Sequence, residues 1–185
     1  MKTLETERLI LRAWKETDSD DLYEYARTEL VGPNAGWAPH KDEDESKKII
    51  EMFIKNDDVY AIELKSEGKV IGGIGMHKTH LGENLGQLKQ REIGYVLNPS
   101  YWGNGYVPEA VNFLIQYGFE ELGLDVIWCG HFETNMKSKR VNEKCGFKYQ
   151  LSRIQVLNLL DGREVNTLYY NITKEDYFQE HNSNG

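Results

Sequence analysis

Apolar and polar residues alternate with period two at several places along the chain, and between those places the apolar positions recur at helical spacing. Leu9, Leu11 and Ala13 alternate with Arg8, Ile10 and Arg12, which predicts a first strand. Thr17 or Asp18 then supplies a cap for a short helix through Leu22, Tyr23, Tyr25 and Ala26. A loop with Gly32, Pro33, Gly36 and Pro39 leads to the acidic run 42–45, which opens a second helix carrying Ile49, Ile50, Phe53 and Ile54. Residues 59–65 and 70–77 read as two strands of a hairpin turning at 66–69. Residues 78–89 hold Gly82, Gly86 and few large apolar groups, the composition of a connection where a substrate loop could sit. In 91–97, Ile93, Tyr95 and Leu97 alternate against Glu92, Gly94 and Val96, and past it Val111, Leu114, Ile115, Gly118 and Phe119 mark a helix that Gly123 can end. A strand over 126–132, a short helix over 135–144 closed by Gly146, and a last hairpin of 147–157 and 164–172 across Asp161 and Gly162 complete the chain.

The resulting order, β-α-α-β-β-β-α-β-α-β-β, describes one mixed α/β domain with helices on both faces of a sheet. A length of 185 residues suits a single core. The domain is expected over 1–177, with 178–185 as a loose tail. Charges interrupt the apolar positions of 1–12, and no apolar run reaches the roughly 18 residues of a membrane span, so a cytoplasmic protein without a membrane partner is expected. A net charge of -8 opposes a nucleic-acid footprint and suits cationic partners. Cys129 and Cys145 lack metal spacing and read as buried reduced thiols, while His77, His80 and His131 are too scattered for a zinc site, so no metal is expected.

The chemistry concentrates in 98–110. Gly103 and Gly105 fall between the strand ending at Leu97 and a helix with Pro108 in its first turn, so free amides and the positive end of the helix dipole can face a phosphate. A third glycine of the dinucleotide fingerprint is missing, and no Gly-Lys-Ser/Thr run follows, which disfavours Rossmann and P-loop readings. Asn104-Gly105 also suits a plain tight turn, but the helical period that follows favours a pyrophosphate-bearing cofactor.

Three stretches carry a family resemblance: ETERLILR (5–12), EIGYVLNPSYWGNGYVPEA (92–110) and NMKSKRVNEKCGF (135–147). With them the chain resembles the GNAT superfamily of acetyl-CoA-dependent N-acetyltransferases, in particular the ribosomal-protein N-terminal acetyltransferase branch. The resemblance implies a GNAT-type α/β (α+β) domain with a mixed, mostly antiparallel sheet of about seven strands. It implies acetyl-CoA as co-substrate, with Val96 and Leu97 pairing with the pantetheine arm and Trp102, Gly103, Asn104, Gly105, Tyr106 and Val107 around the pyrophosphate. Asn135 and Ser138 would contact the arm from the other side. Val107 stands where alanine or glycine is usual, and its β-branch is expected to crowd the phosphate slightly. Asn142 stands where many members place a tyrosine that protonates the departing sulfur, and an amide is no acid.

Glu92 matches the strand carboxylate that serves relatives as base, and Ser138 is a candidate proton relay to the thiolate; their ordinary alternatives are a surface ion pair and a helix cap. A backbone amide near Leu97 is the expected carbonyl polariser. Trp37, in the Gly/Pro loop, is the candidate acceptor-site aromatic. The expected reaction is direct attack of an amine, with a protein N-terminus as acceptor. Small amines such as polyamines, aminoglycosides or amino acids are the alternative, as is a CoA-binding domain without catalysis. A homodimer through the last hairpin is consistent with its exposed edge.

Overall fold

A computed structural model describes residues 1–79, 81–82 and 86–182, with 181 and 182 as backbone alone. An eight-stranded sheet carries the fold, in the order β1-β2-β3-β4-β5-β6-β8-β7. Its strands are β1 Leu4–Glu5, β2 Leu9–Arg12, β3 Val59–Leu64, β4 Lys69–His77, β5 Gln90–Leu97, β6 Val126–Phe132, β7 Lys148–Val156 and β8 Glu164–Thr173. Every neighbouring pair is antiparallel except β5 and β6. The strand beyond the seven expected is β1, two residues pairing Leu4 with Leu11 and too short to announce itself by alternation.

Helices α1 Ser19–Ala26, α2 Gly32–Ala35 and α3 Glu43–Asn56 precede β3. Asp42 caps α3, accepting from the Glu45 N–H at 2.8 Å, and Glu43, Asp44 and Glu45 fill its first turn, so the acidic run is helix-start chemistry. Leu22, Tyr25, Ala26 and Ile50 from α1 and α3 bury against Trp14, Ala61 and Val70, with Val96 of β5 packed on the same cluster. The other face is covered by α4 Tyr106–Glu120, α5 Met136–Lys144 and α6 Lys174–Asn182. There Val107, Val111, Leu114, Ile115 and Phe119 of α4 pack on Leu9, Ile62, Ile93 and Leu97. Each such side chain contributes about 1.5–3 kcal/mol by leaving water. Strand alternation puts Val96 and Leu97 into opposite clusters, so β5 presents one chemistry to each face.

The expected boundary at 177 falls inside α6. Tyr177 is buried against Phe119, and Asp176 accepts from Lys148 at 2.6 Å, so the segment through 182 continues the fold as helix. Within the connection 78–89, positions 80 and 83–85 lie outside the described residues. Among those described, no helix is long and apolar enough to cross a membrane.

Candidate active site

The sheet comes apart at β5. Its rungs with β6 run from Gln90 and Val126 to Ile93 and Cys129 and then stop, while β5 stays paired with β4 as far as Leu97 and β6 with β8 as far as Phe132. A wedge therefore opens between 94–97 and 130–132. Which backbone groups face it follows from strand geometry. The Asn98 N–H bonds the Ile71 carbonyl at 2.7 Å, so even-numbered groups of β5 serve the β4 ladder; the Lys89 carbonyl accepts from Asp125 at 2.8 Å, so odd-numbered groups face β6. Tyr95 and Leu97 thus turn their backbones into the wedge. Val96, expected as an arm contact, has its polar backbone in the β4 ladder and its side chain on the α1–α3 cluster. Of the two residues expected at the arm, Leu97 turns its backbone into the wedge and Val96 does not; Tyr95 is the other residue of this stretch that does.

Between β5 and α4 the chain makes a short 3-10 turn, Pro99–Tyr101, capped by Asn98, whose Oδ1 accepts from the Ser100 N–H at 3.0 Å. The Trp102 Nε1 donates to the Leu97 carbonyl at 3.0 Å, so of the two backbone groups that Leu97 turns into the wedge the N–H is the one without a partner among the described residues. Asn104 folds its amide back on the Tyr101 and Trp102 carbonyls at 3.1 and 3.2 Å. Gly103 and Gly105 sit at φ 81° and 79°, a region that costs other residues about 1–2 kcal/mol. A Cβ on Gly103 would meet nothing, and one on Gly105 only the Arg8 Nη2 at 3.5 Å, so the loop surface is open to a ligand. Gly105 is also the N-cap of α4 and brings no side chain to cap it, which leaves the Tyr106 and Val107 amides at the positive helix end. The crowding expected from Val107 does not arise, because its side chain points into the core and is buried.

Two cations flank this loop. Arg8 donates from Nε to Glu109 at 2.7 Å and from Nη1 to the Asn104 carbonyl at 2.9 Å, with its guanidinium over the Tyr106 ring at 4.5 Å. Lys137 places its Nζ 4.4 Å from the Trp102 ring centre. Sequence reasoning passed over both, since a single Arg or Lys carries no period. Asn135 caps α5, its Oδ1 accepting from the Ser138 N–H at 3.2 Å, and Ser138 is half-buried on the first turn.

Glu92 lies on the opposite face from Ile93 and Tyr95, beside His77 of β4 and Trp128 of β6. Burial raises its pKa above the usual glutamate value, against the Thr79 hydroxyl, which donates to Oε2 at 3.2 Å, and against the nearby His77. Among the described residues no basic side chain forms an ion pair with it, so the surface-pair alternative does not hold. Tyr169 faces the same space, its own pKa raised by burial and by Glu92, with Gln155 donating to its hydroxyl. His131 packs on Tyr170 as a buried strand residue, and both cysteines are buried free thiols, that of Cys145 donating to the Pro108 carbonyl at 3.9 Å. Trp37 is half-buried rather than exposed: its ring packs on His40 at 5.2 Å, and its backbone bridges Leu159 in the β7–β8 turn.

A family model described as an acetyltransferase (GNAT) domain matches residues 8–148. The chain belongs to this GNAT family. The uncharacterized N-acetyltransferase YoaA of Bacillus subtilis is 30% identical over 177 residues, spanning 92% of this chain and 96% of that one. The crystal structure of a GNAT-family acetyltransferase from Bacillus anthracis matches with a TM-score of 0.82 and 26% identity over 94% of this chain and 99% of its own. The ribosomal-protein-S5-alanine acetyltransferase of Vibrio fischeri shares the fold, with a TM-score of 0.70 and 21% identity over 96% of this chain and 99% of its own. The protein is accordingly an acetyl-CoA-dependent N-acetyltransferase with acetyl-CoA as co-substrate. The open glycine loop, the uncapped helix start and the unladdered amides of the wedge fit a diphosphate followed by an amide-bearing arm.

Proposed function

We propose that this GNAT enzyme acetylates the α-amine of a protein N-terminus, with Glu92 as its base. The observation that carries this reading is a carboxylate that has no ion-pair partner among the described residues, its pKa raised by burial, on the face of β5 opposite Tyr95. An α-amine titrates near about 8 and needs only such modest help, whereas a lysine amine near about 10.4 needs more. The S5-alanine acetyltransferase of the same fold, named for a protein alanine, adds support.

In this reading the diphosphate lies on the amides of Gly103, Asn104, Gly105, Tyr106 and Val107, with Trp102 bracing the loop. The arm pairs with Tyr95 and Leu97, and Asn135 and Ser138 meet it from α5. The Leu97 N–H polarises the thioester carbonyl. The amine nitrogen attacks the acetyl carbon, its proton passes to Glu92 directly or through water, and the C–S bond breaks with the electron pair leaving on sulfur. No covalent enzyme intermediate is involved. Trp37 and Leu159 form the far wall of the acceptor channel. Two buried reduced cysteines suit a cytoplasmic setting, and the exposed Ile154 and Val156 on the edge strand β7 support pairing of two copies there.

Mass spectrometry after incubation with acetyl-CoA and a panel of peptides and small amines tests the acceptor. The reading expects the acetyl group on peptide α-amines; modification confined to polyamines, aminoglycosides or free amino acids would replace it with the small-amine alternative. CoA binding without turnover on any amine would leave a binding domain.

A further inference from the structure

Two polar side chains beneath the wedge are sealed from water with nothing to bond. The Tyr95 hydroxyl and both amide atoms of Asn142 are buried and have no hydrogen-bond partner among the described residues. Groups left this way destabilise a fold, so native proteins keep few of them, and those few call for a reason. Their placement suggests one. Tyr95 is two residues past the last β5–β6 rung at Ile93, and its side chain points to the α4–α5 face, opposite Glu92. On α5, Ser138, Asn142 and Cys145 follow at helical spacing and share one side of the helix. Tyr95 packs in the same cluster as Val141 and Cys145 from that helix and Cys129 of β6, and Cys129, the Ser138 hydroxyl and Cys145 all act on its titration. Ser138 is the half-buried member of the group and so the one that borders the space above.

We propose that Tyr95 is a positioning residue for thiol release: with CoA bound, its phenol, unpaired at rest, donates a hydrogen bond to the Ser138 hydroxyl, which thereby aims its own hydrogen at the departing CoA sulfur. This rests on the acetyl-transfer reading, with Ser138 beside the arm. Base and leaving group then lie on opposite faces of β5, and the phenol supplies from the strand what the asparagine at 142 cannot supply from the helix. Sulfur leaves with the bonding pair as thiolate, the two hydroxyls stabilise that charge in series, and the amine proton goes to Glu92; no further co-reactant is needed. Burial keeps the phenol protonated, so it remains a donor throughout.

Tyr95→Phe is a clean variant because it keeps the ring in its cluster and removes only an oxygen that has no geometric hydrogen bond among the described residues. A packing role alone predicts unchanged or higher thermal stability and unchanged chemistry. The direct test uses free CoA, needs no acceptor, and follows ionisation of the bound thiol through the ultraviolet absorbance of the thiolate. At a given pH, wild type should hold about tenfold more of the bound CoA as thiolate than Tyr95→Phe, the effect of one hydrogen bond toward a charged group. In a Ser138→Ala background the same change should do nothing, since Tyr95 acts through Ser138. Equal thiolate fractions in wild type and Tyr95→Phe, or effects of the two substitutions that simply add, would overturn the proposal. Failure of wild type to bind CoA at all would instead remove the acetyl-transfer reading on which it stands.

Discussion

Where the proposed function places the cofactor, the protein offers mostly backbone: the amides at Tyr95, Leu97 and 103–107, set by two glycines and a helix start. On the acceptor side it offers side chains, namely Glu92, Thr79, Trp128 and Tyr169, drawn from four separate strands or loops. The first set depends on local conformation and tolerates many side chains; the second depends on register across the sheet, and one changed group alters its chemistry. The cofactor half should therefore respond to substitutions in affinity and the acceptor half in turnover.

Glu92→Gln should separate the halves most widely. Loss of a base slows turnover about 10²–10⁴-fold, while acetyl-CoA affinity by calorimetry stays near wild type. A parallel fall in cofactor affinity would dissolve the distinction. The pH profile sharpens the same point. Below its raised pKa Glu92 is protonated and cannot accept, so kcat/KM should climb with pH through a value above the ordinary glutamate range, and the Gln variant should lack that limb. The same shift carries a stability sign. A glutamate whose pKa rises on folding favours the folded state at low pH and opposes it above that pKa, so Glu92→Gln should melt higher than wild type at neutral pH and equal it in acid.

Next in size is the loop. Gly105→Val forces a β-branched residue to φ 79° and sets its side chain against Arg8, and CoA affinity should drop about tenfold or more with acceptor selectivity unchanged. Arg8→Met should have a smaller effect, a few-fold loss of CoA affinity, because it frees the Asn104 carbonyl and leaves Glu109 facing the bound phosphate alone. Smallest is Trp37→Ala. With its ring half-buried against His40, it should raise KM for the acceptor modestly and leave KM for acetyl-CoA unchanged in steady-state assays.

The contrast also explains what could be read from the sequence. Alternation and helical period gave seven of the eight strands and the loop at 103–105, because these are local properties of consecutive residues. They gave the face on which Glu92 stands as well, since its parity against Ile93 is local. Phase relative to neighbouring strands is not local, and that is why the sequence could not tell that Tyr95 and Leu97, rather than Val96, turn their backbones into the wedge. The same limit hid Tyr169, which meets Glu92 only because β8 lies beside β6, and Arg8, which reaches the loop across about a hundred residues of chain. The setting of Trp37 was hidden for a related reason: the loop that holds it bridges Leu159 in the β7–β8 turn, a contact between distant segments. Val107 shows the converse, where a side chain judged from the loop motif belongs to the helix and points inward.

Amide hydrogen exchange with and without acetyl-CoA tests the central claim most directly. If the wedge and the glycine loop hold the cofactor through their backbones, slowing should concentrate in peptides covering 95–107 and 135–138, with little change in β2, β3 or α3. Protection centred elsewhere, or none at cofactor concentrations that saturate binding, would contradict the account.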